Sequence, residues 1–143
     1  MKKRSASAIW TGGLKDGKGT ISTETGVLKD TAYSFSTRFE DAVGTNPEEL
    51  LGAAHASCFT MALSGQLGAA GMTAQRLATT AIVTIDKQDG GFGITGIHLD
   101  LTAKIPGASA DAFMKAAQAA KEGCPLSKAL KAVPITMDAK LEP

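Results

Sequence analysis

The chain has 143 residues, 15 Lys+Arg against 14 Asp+Glu for a formal net charge of +1, 43% hydrophobic residues and only 5% aromatics. That composition suits one compact soluble domain over residues 1–143, long enough to build a core without staples. It argues against a nucleic-acid binder, because there is no excess positive charge for a phosphate backbone and the aromatics are not interleaved with basic residues as base-stacking platforms.

Residues 1–4 are basic, but residues 5–13 are small and polar where a secretory signal needs an apolar stretch, so a cytoplasmic chain is expected. Thiols stay reduced in that compartment. The two cysteines, Cys58 and Cys124, are therefore read as buried hydrophobes, metal ligands or redox-active groups rather than a staple.

Residues 5–10, 19–24 and 33–39 read as a meander of short strands, set apart by turns at Gly12-Gly13, Asp16-Gly17 and Lys29-Asp30. In the third, Tyr33, Phe35, Thr37 and Phe39 alternate with Ser34, Ser36 and Arg38, which predicts an inward aromatic row with Arg38 on the opposite face. Asn46 then caps a helix, with Pro47 at its first position and Glu49 three residues after the cap as in a capping box.

This helix is predicted to run to about residue 70. No charged residue occurs from Leu50 to Gln75, and Ala, Leu, Gly and Ser occupy nearly every side, which predicts a helix buried all round. A membrane span is the rival reading, opposed by His55, Gln66 and several Gly and Ser. A hairpin follows, residues 77–87 and 94–105 joined through Asp89-Gly90-Gly91. Ser109 caps a second helix to about residue 122 with Ala112, Phe113, Ala116, Ala117 and Ala120 on one stripe and Gly123 just past its end. Pro125 opens a short third helix, and Ile135, Met137, Ala139 and Leu141 alternate as a last strand. The order βββ-α-ββ-αα-β has no run of βαβ units and argues an α+β fold.

Three constellations could carry chemistry. His55 and Cys58, three apart on one helix face, could form a nucleophilic dyad; with Cys124 and His98 they could form a four-ligand zinc site; or the two cysteines could work as a redox pair, one oxidised to a sulfenic acid and the other condensing with it. Cys124, at the N-cap of the third helix, has the better local case for a lowered thiol pKa, and Cys58 the better case for burial. Composition does not choose among them.

The runs Asn46-Pro47-Glu48-Glu49-Leu50, Gly52-Ala53-Ala54-His55-Ala56-Ser57-Cys58-Phe59 and Gly123-Cys124-Pro125-Leu126-Ser127 resemble the osmotically inducible protein C and organic hydroperoxide resistance (OsmC/Ohr) family. Gly17-Lys18-Gly19-Thr20, residues 23–28 and Thr37-Arg38-Phe39-Glu40 place the resemblance on the OsmC side, and it covers essentially the whole chain. It implies antiparallel sheets around the central helix in an intertwined homodimer, with two active sites at the subunit interface. The implied activity is a cofactor-free, thiol-dependent peroxidase acting on organic hydroperoxides and less well on hydrogen peroxide, with a thiol reductant that no residue identifies. By position, Cys58 would be the peroxidatic cysteine, Cys124 the resolving one closing an intramolecular disulfide, and Arg38 and Glu48 the charged pair beside the thiolate.

The implied roles make physical sense. A thiol at its free pKa of about 8.5 is only a few per cent thiolate at neutral pH, and burial would lower that further unless a guanidinium stood beside it. Arg38 would stabilise the thiolate and the departing alkoxide, with Glu48 holding its fork. Glu48 and Cys58 are ten residues apart on one helix, a rise of about 15 Å, so a shared site would draw them from different chains. Small residues at Gly52, Ala56, Gly65 and Gly68 would let that helix approach its two-fold mate. A thiol hydrolase using Cys58 and His55, and a non-enzymatic stress or binding protein with structural cysteines, are the alternatives.

Overall fold

The computed structural model describes residues 1–143, and the chain divides into two compact units, Met1–Leu50 and Leu51–Pro143. In the first unit β1 (Ala6–Thr11), β2 (Lys18–Thr23) and β3 (Thr31–Tyr33) form an antiparallel sheet in the order β1-β2-β3. Trp10 and Tyr33 meet across Gly19 with ring centroids 5.4 Å apart, and a side chain at that glycine would strike both rings. β1 is exposed along its whole length, Ile9 and Trp10 included. This unit buries no large apolar side chain.

The predicted strand over residues 33–39 is corrected. After Tyr33 the chain turns into a short helix, α1 (Phe35–Phe39), because Ser34 and Thr37 cap each other's backbone: Thr37 N–H donates to Ser34 Oγ at 3.3 Å, and Ser34 N–H to Thr37 Oγ1 at 2.9 Å. Local Ser/Thr bonds of this kind outcompete a strand. The aromatic pair Phe35 and Phe39 is thus an i, i+4 contact, 4.9 Å between centroids, rather than part of a row along a sheet.

α2 (Pro47–Ala69) starts where Asn46 predicts: its Oδ1 accepts from Glu49 N–H at 2.8 Å, while its Nδ2 donates to the Thr37 carbonyl at 3.1 Å. Glu49 does not complete the box; its carboxylate accepts from the Thr45 hydroxyl.

In the second unit β4 (Arg76–Gln88) and β5 (Gly91–Lys104) pair antiparallel with a register shift at Thr84/Ile85, joined through Gly90 and Gly91 at φ 92° and 140°. α3 (Ala110–Gly123), α4 (Pro125–Ala129) and β6 (Ile135–Leu141) follow. β6 returns beside β5 in parallel, Ile97 opposite Ile135 through Ala103 opposite Leu141, which corrects the expected antiparallel sheet. A connection through two helices carries the chain back to the start of β5, and such a crossover can only make a parallel pair. The observed order is βββ-αα-ββ-αα-β, still α+β.

The core of this unit is Phe59, Leu63 and Leu67 of α2, alternate residues Ile97 to Ala103 of β5, and Phe113, Ala117 and Ala120 of α3. α2 is not buried all round. Gly52, His55, Phe59, Leu63 and Leu67 form one buried stripe, while Ala53, Ala54, Ser57, Met61, Ser64 and Gly65 are exposed, Met61 at 80%. Gly52 lies on the buried stripe against β4, where an added Cβ would stand 3.3 Å from the Ala81 carbonyl, so it is not free for a two-fold mate; Gly65 and Gly68 face open space. Gly123 likewise lies inside α3 without positive φ, and Cys124 is the C-cap. No helix is long and apolar enough to cross a membrane.

Candidate active site

The first unit assembles one charged pair. Arg38, in the last turn of α1, donates from Nε to both Glu48 oxygens at 3.1 Å and from Nη2 to Oε1 at 2.7 Å. Glu48 is 7% exposed in the first turn of α2, whereas the Arg38 side chain is 38% exposed, so a buried carboxylate holds a guanidinium that reaches solvent. Arg38 also stacks over the Phe39 ring at 5.0 Å. Beside it, Trp10, Leu14, Tyr33, Phe35 and Phe39 line a cavity of about 240 Å³ with Arg38 on its wall.

The second unit assembles both thiols. Cys58 comes from the middle of α2, and Cys124 from the junction of α3 and α4, where it closes one helix and caps the next. They are unlinked and stand as neighbours, each acting on the other's titration. The expected contrast in burial is reversed: Cys58 is partly exposed and Cys124 is fully buried. Loss of solvent pushes the Cys58 thiol up, and the neighbouring Cys124 adds to the rise, against a hydrogen bond from the Leu126 amide. Cys124 also loses solvent, yet ends below its ordinary value, because the Ser127 hydroxyl and amide, the Cys58 thiol and the Leu126 amide all bond its sulfur. The local argument from the helix terminus therefore holds for Cys124.

The histidines do not join as either constellation required. His55 is wholly buried and puts Nε2 2.8 Å from Ser127 Oγ, so no contact makes it a partner of Cys58. His98 bonds Thr136 Oγ1 at 2.7 Å and Asp138 Oδ2 at 3.3 Å across β5 and β6, and no group of three or more potential ligands gathers for the four-ligand set. Ser127 is the residue that sequence reasoning passed over. Its position three residues after Cys124, with Pro125 opening the helix, is the signal that could have found it, since an N-cap side chain meets the backbone N–H three residues on.

The model of OsmC-like proteins matches residues 39–138. The chain belongs to the OsmC family. Within it, the sequence is 53% identical over 139 residues to Peroxiredoxin OsmC of Escherichia coli (strain K12), spanning 97% of this chain and 96% of that protein. The fold is similar to the crystal structure of the organic hydroperoxide resistance protein OhrB of Bacillus subtilis, at a TM-score of 0.68 and 26% identity over 96% of this chain and 98% of that one. An OsmC-like protein of Mycoplasma pneumoniae is similar in fold at a TM-score of 0.77 and 19% identity, covering 98% and 97%. For an OsmC-family chain, the two motifs that carry Cys58 and Cys124 come together in one unit and the pair Arg38–Glu48 forms in the other.

Proposed function

We propose that this protein, a cysteine-based peroxidase of the OsmC family, reduces organic hydroperoxides, and hydrogen peroxide less well, by cycling Cys58 through a sulfenic acid and a disulfide with Cys124. The observation that carries the reading is the packing of two unlinked thiols in one core, of which one is partly exposed and the other buried. A peroxide meets Cys58 first. Its thiolate attacks the outer peroxide oxygen, the O–O bond breaks, and the alkoxide takes a proton to leave as the alcohol. Cys124 then displaces the hydroxyl of the Cys58 sulfenic acid as water. A cytoplasmic thiol reductant reopens the disulfide.

Two features favour an organic substrate: the Bacillus subtilis protein of similar fold is an organic hydroperoxide resistance protein, and the aromatic cavity beside Arg38 suits the hydrocarbon part of a hydroperoxide. In this reading Arg38 supplies the cation that Cys58, its thiol pushed up by partial burial, needs, and Glu48 fixes its fork. The rise of about 15 Å between Glu48 and Cys58 along α2 supports a homodimer in which Arg38 and Glu48 of one protomer serve Cys58 of its partner. The uncharged exposed face of α2 and the missing apolar core of the first unit fit a second copy as their cover.

The test is a count of free thiols with a chromogenic disulfide reagent before and after one equivalent of an alkyl hydroperoxide. The expected loss is two thiols, with peptide mapping joining Cys58 to Cys124. A thiol hydrolase or a protein with structural cysteines would keep both.

A further inference from the structure

The hydrogen bonds around Cys124 continue inward to a residue that the peroxidase reading does not use. His55 Nε2 stands 2.8 Å from Ser127 Oγ, Ser127 Oγ stands 3.4 Å from Cys124 Sγ, and the Ser127 amide donates to the same sulfur at 3.3 Å. All three residues are buried, His55 and Cys124 completely, and the chain ends on the sulfur of Cys124, which neighbours Cys58. His55 Nδ1 is buried and has no partner.

That orphan nitrogen fixes the direction of the chain. Burial keeps His55 neutral, so one ring nitrogen carries the single N–H. A hydrogen on Nδ1 would be a buried donor with nothing to meet it, the rarer and costlier defect; a hydrogen on Nε2 meets Ser127 Oγ and leaves Nδ1 only a bare acceptor. The tautomer assigned on this ground makes Ser127 Oγ an acceptor from His55. Its own hydrogen then has one neighbour to go to, Cys124 Sγ. The sulfur so receives two donors from Ser127, hydroxyl and amide, and two donors favour a thiolate over a thiol.

We propose that Ser127 is a catalytic residue of the resolving step and His55 its positioning residue: His55 locks the Ser127 hydroxyl onto Cys124, so that the buried sulfur is ready to capture the Cys58 sulfenic acid. This rests on the peroxidase reading above and adds to it the control of the second half-reaction. In that step Cys124 Sγ gives an electron pair to Cys58 Sγ, the S–S bond forms and the Cys58 S–O bond breaks. The departing hydroxide leaves as water with the proton that Cys124 gave up. The sulfenic sulfur is reduced and the thiol sulfur oxidised to the disulfide level, and the oxidant is the hydroperoxide already spent. Without the two donors, a buried Cys124 would stay protonated and slow, and a second molecule of hydroperoxide would carry the sulfenic acid on to the sulfinic acid. The titratable neighbours are few: Cys58 of α2 acts on Cys124 and His55 of α2 reaches it through Ser127, while Lys121 and Glu122 of α3, Lys128 of α4 and Lys131 border an open groove beside Ser127 and none acts on the Cys124 thiol.

The experiment uses the full chain and reads disulfide formation over time after one equivalent of an alkyl hydroperoxide, with dimedone trapping any sulfenic acid that remains. Ser127→Ala should slow disulfide formation about tenfold at neutral pH, and under excess hydroperoxide it should raise the sulfinic fraction, the consequence of losing one hydrogen bond to a charged sulfur. His55→Leu should match it, whereas His55→Gln, which offers an N–H in place of Nε2, should recover most of the rate. In parallel, thiolate absorbance in a Cys58→Ser background reports Cys124 alone, and both Ser127→Ala and His55→Leu should move its titration upward by about one unit. Unchanged titration and disulfide rate in Ser127→Ala would overturn the proposal, and equal behaviour of His55→Gln and His55→Leu would reduce His55 to packing. If the unmutated protein leaves the hydroperoxide untouched, the peroxidase reading falls and the resolving role with it, while the titration separately decides whether Ser127 and His55 hold the Cys124 thiolate.

Discussion

Glu48 takes three hydrogen bonds from Arg38, while its neighbour Glu49 is spent on the Thr45 hydroxyl and on the backbone cap of Asn46. Adjacent carboxylates in one helical turn thus have unrelated surroundings, one buried and one exposed. If Arg38 holds Cys58 as a thiolate, Arg38→Ala should raise the Cys58 pKa and slow its oxidation roughly 30- to 1,000-fold, equivalent to about 2–4 kcal/mol at the transition state. Arg38→Lys should recover little, because an ammonium cannot grip both Glu48 oxygens and face a sulfur. Glu48→Gln should cost less than Arg38→Ala, and Glu49→Gln should be near neutral. Stopped-flow oxidation of Cys58 across a pH series separates these cases; an unchanged rate and pKa in Arg38→Ala would remove the guanidinium from the mechanism.

The two cysteines should fail differently. Cys58→Ser should abolish turnover, whereas Cys124→Ser should reduce about one equivalent of peroxide to give a sulfenic acid without a partner, which further peroxide oxidises to sulfinic acid. Intact-mass spectrometry distinguishes them. A dead Cys124→Ser beside a Cys58→Ser that still consumes one equivalent would mean that the buried, lower-pKa thiol is the one that peroxide meets.

Association should be visible at the exposed face of α2. Sedimentation should give a dimer, and Met61→Glu, which places a charge on a side chain 80% exposed in the single chain, should shift it toward monomer while leaving the core stripe of α2 intact. Mixing Cys58→Ser with Arg38→Ala protomers, once exchange is shown, should restore activity if the site is shared. A monomer with full peroxidase activity would rule that arrangement out.

Stability should fall on mild acidification. His55 is buried and its pKa lies below the ordinary value of 6.5, so the unfolded chain binds the proton more readily than the folded one. Stability on this account is complete above about pH 6.5 and is lost as pH falls below it toward the depressed folded value. Urea midpoints measured between about pH 7.5 and pH 5 should show that slope in the unmutated protein and a flatter one in His55→Gln, which has nothing to titrate. Equal slopes would place the acid sensitivity elsewhere.

Most of the frame was legible from residues alone. The Asn46 cap, the Ser109 cap, the turn at Gly90-Gly91 and the alternation of Ile135, Met137, Ala139 and Leu141 are local signals, and the structure keeps each. Where the reading failed, two patterns competed. Residues 33–39 satisfy a period of two in their aromatics and a capping spacing in Ser34 and Thr37, and the backbone bonds of the cap won. An uncharged α2 reads the same whether its far side meets this chain or another, so the one-sided burial around Phe59, Leu63 and Leu67 could not be seen in composition. The join of His55 to Ser127 spans 72 positions in sequence, and nothing short-range announces it.

The parallel seat of β6 sets the order in which the second unit can close. β5 lies in the middle of its sheet, yet one of its edges is completed only by Ile135–Leu141, near the end of the chain. Until β6 is seated, that edge carries unpaired N–H and C=O groups between Ile97 and Ala103. An unpaired edge of alternating Ile and Leu is a template for other chains. A chain cut short before Ile135 should therefore accumulate in aggregates rather than as a smaller folded protein.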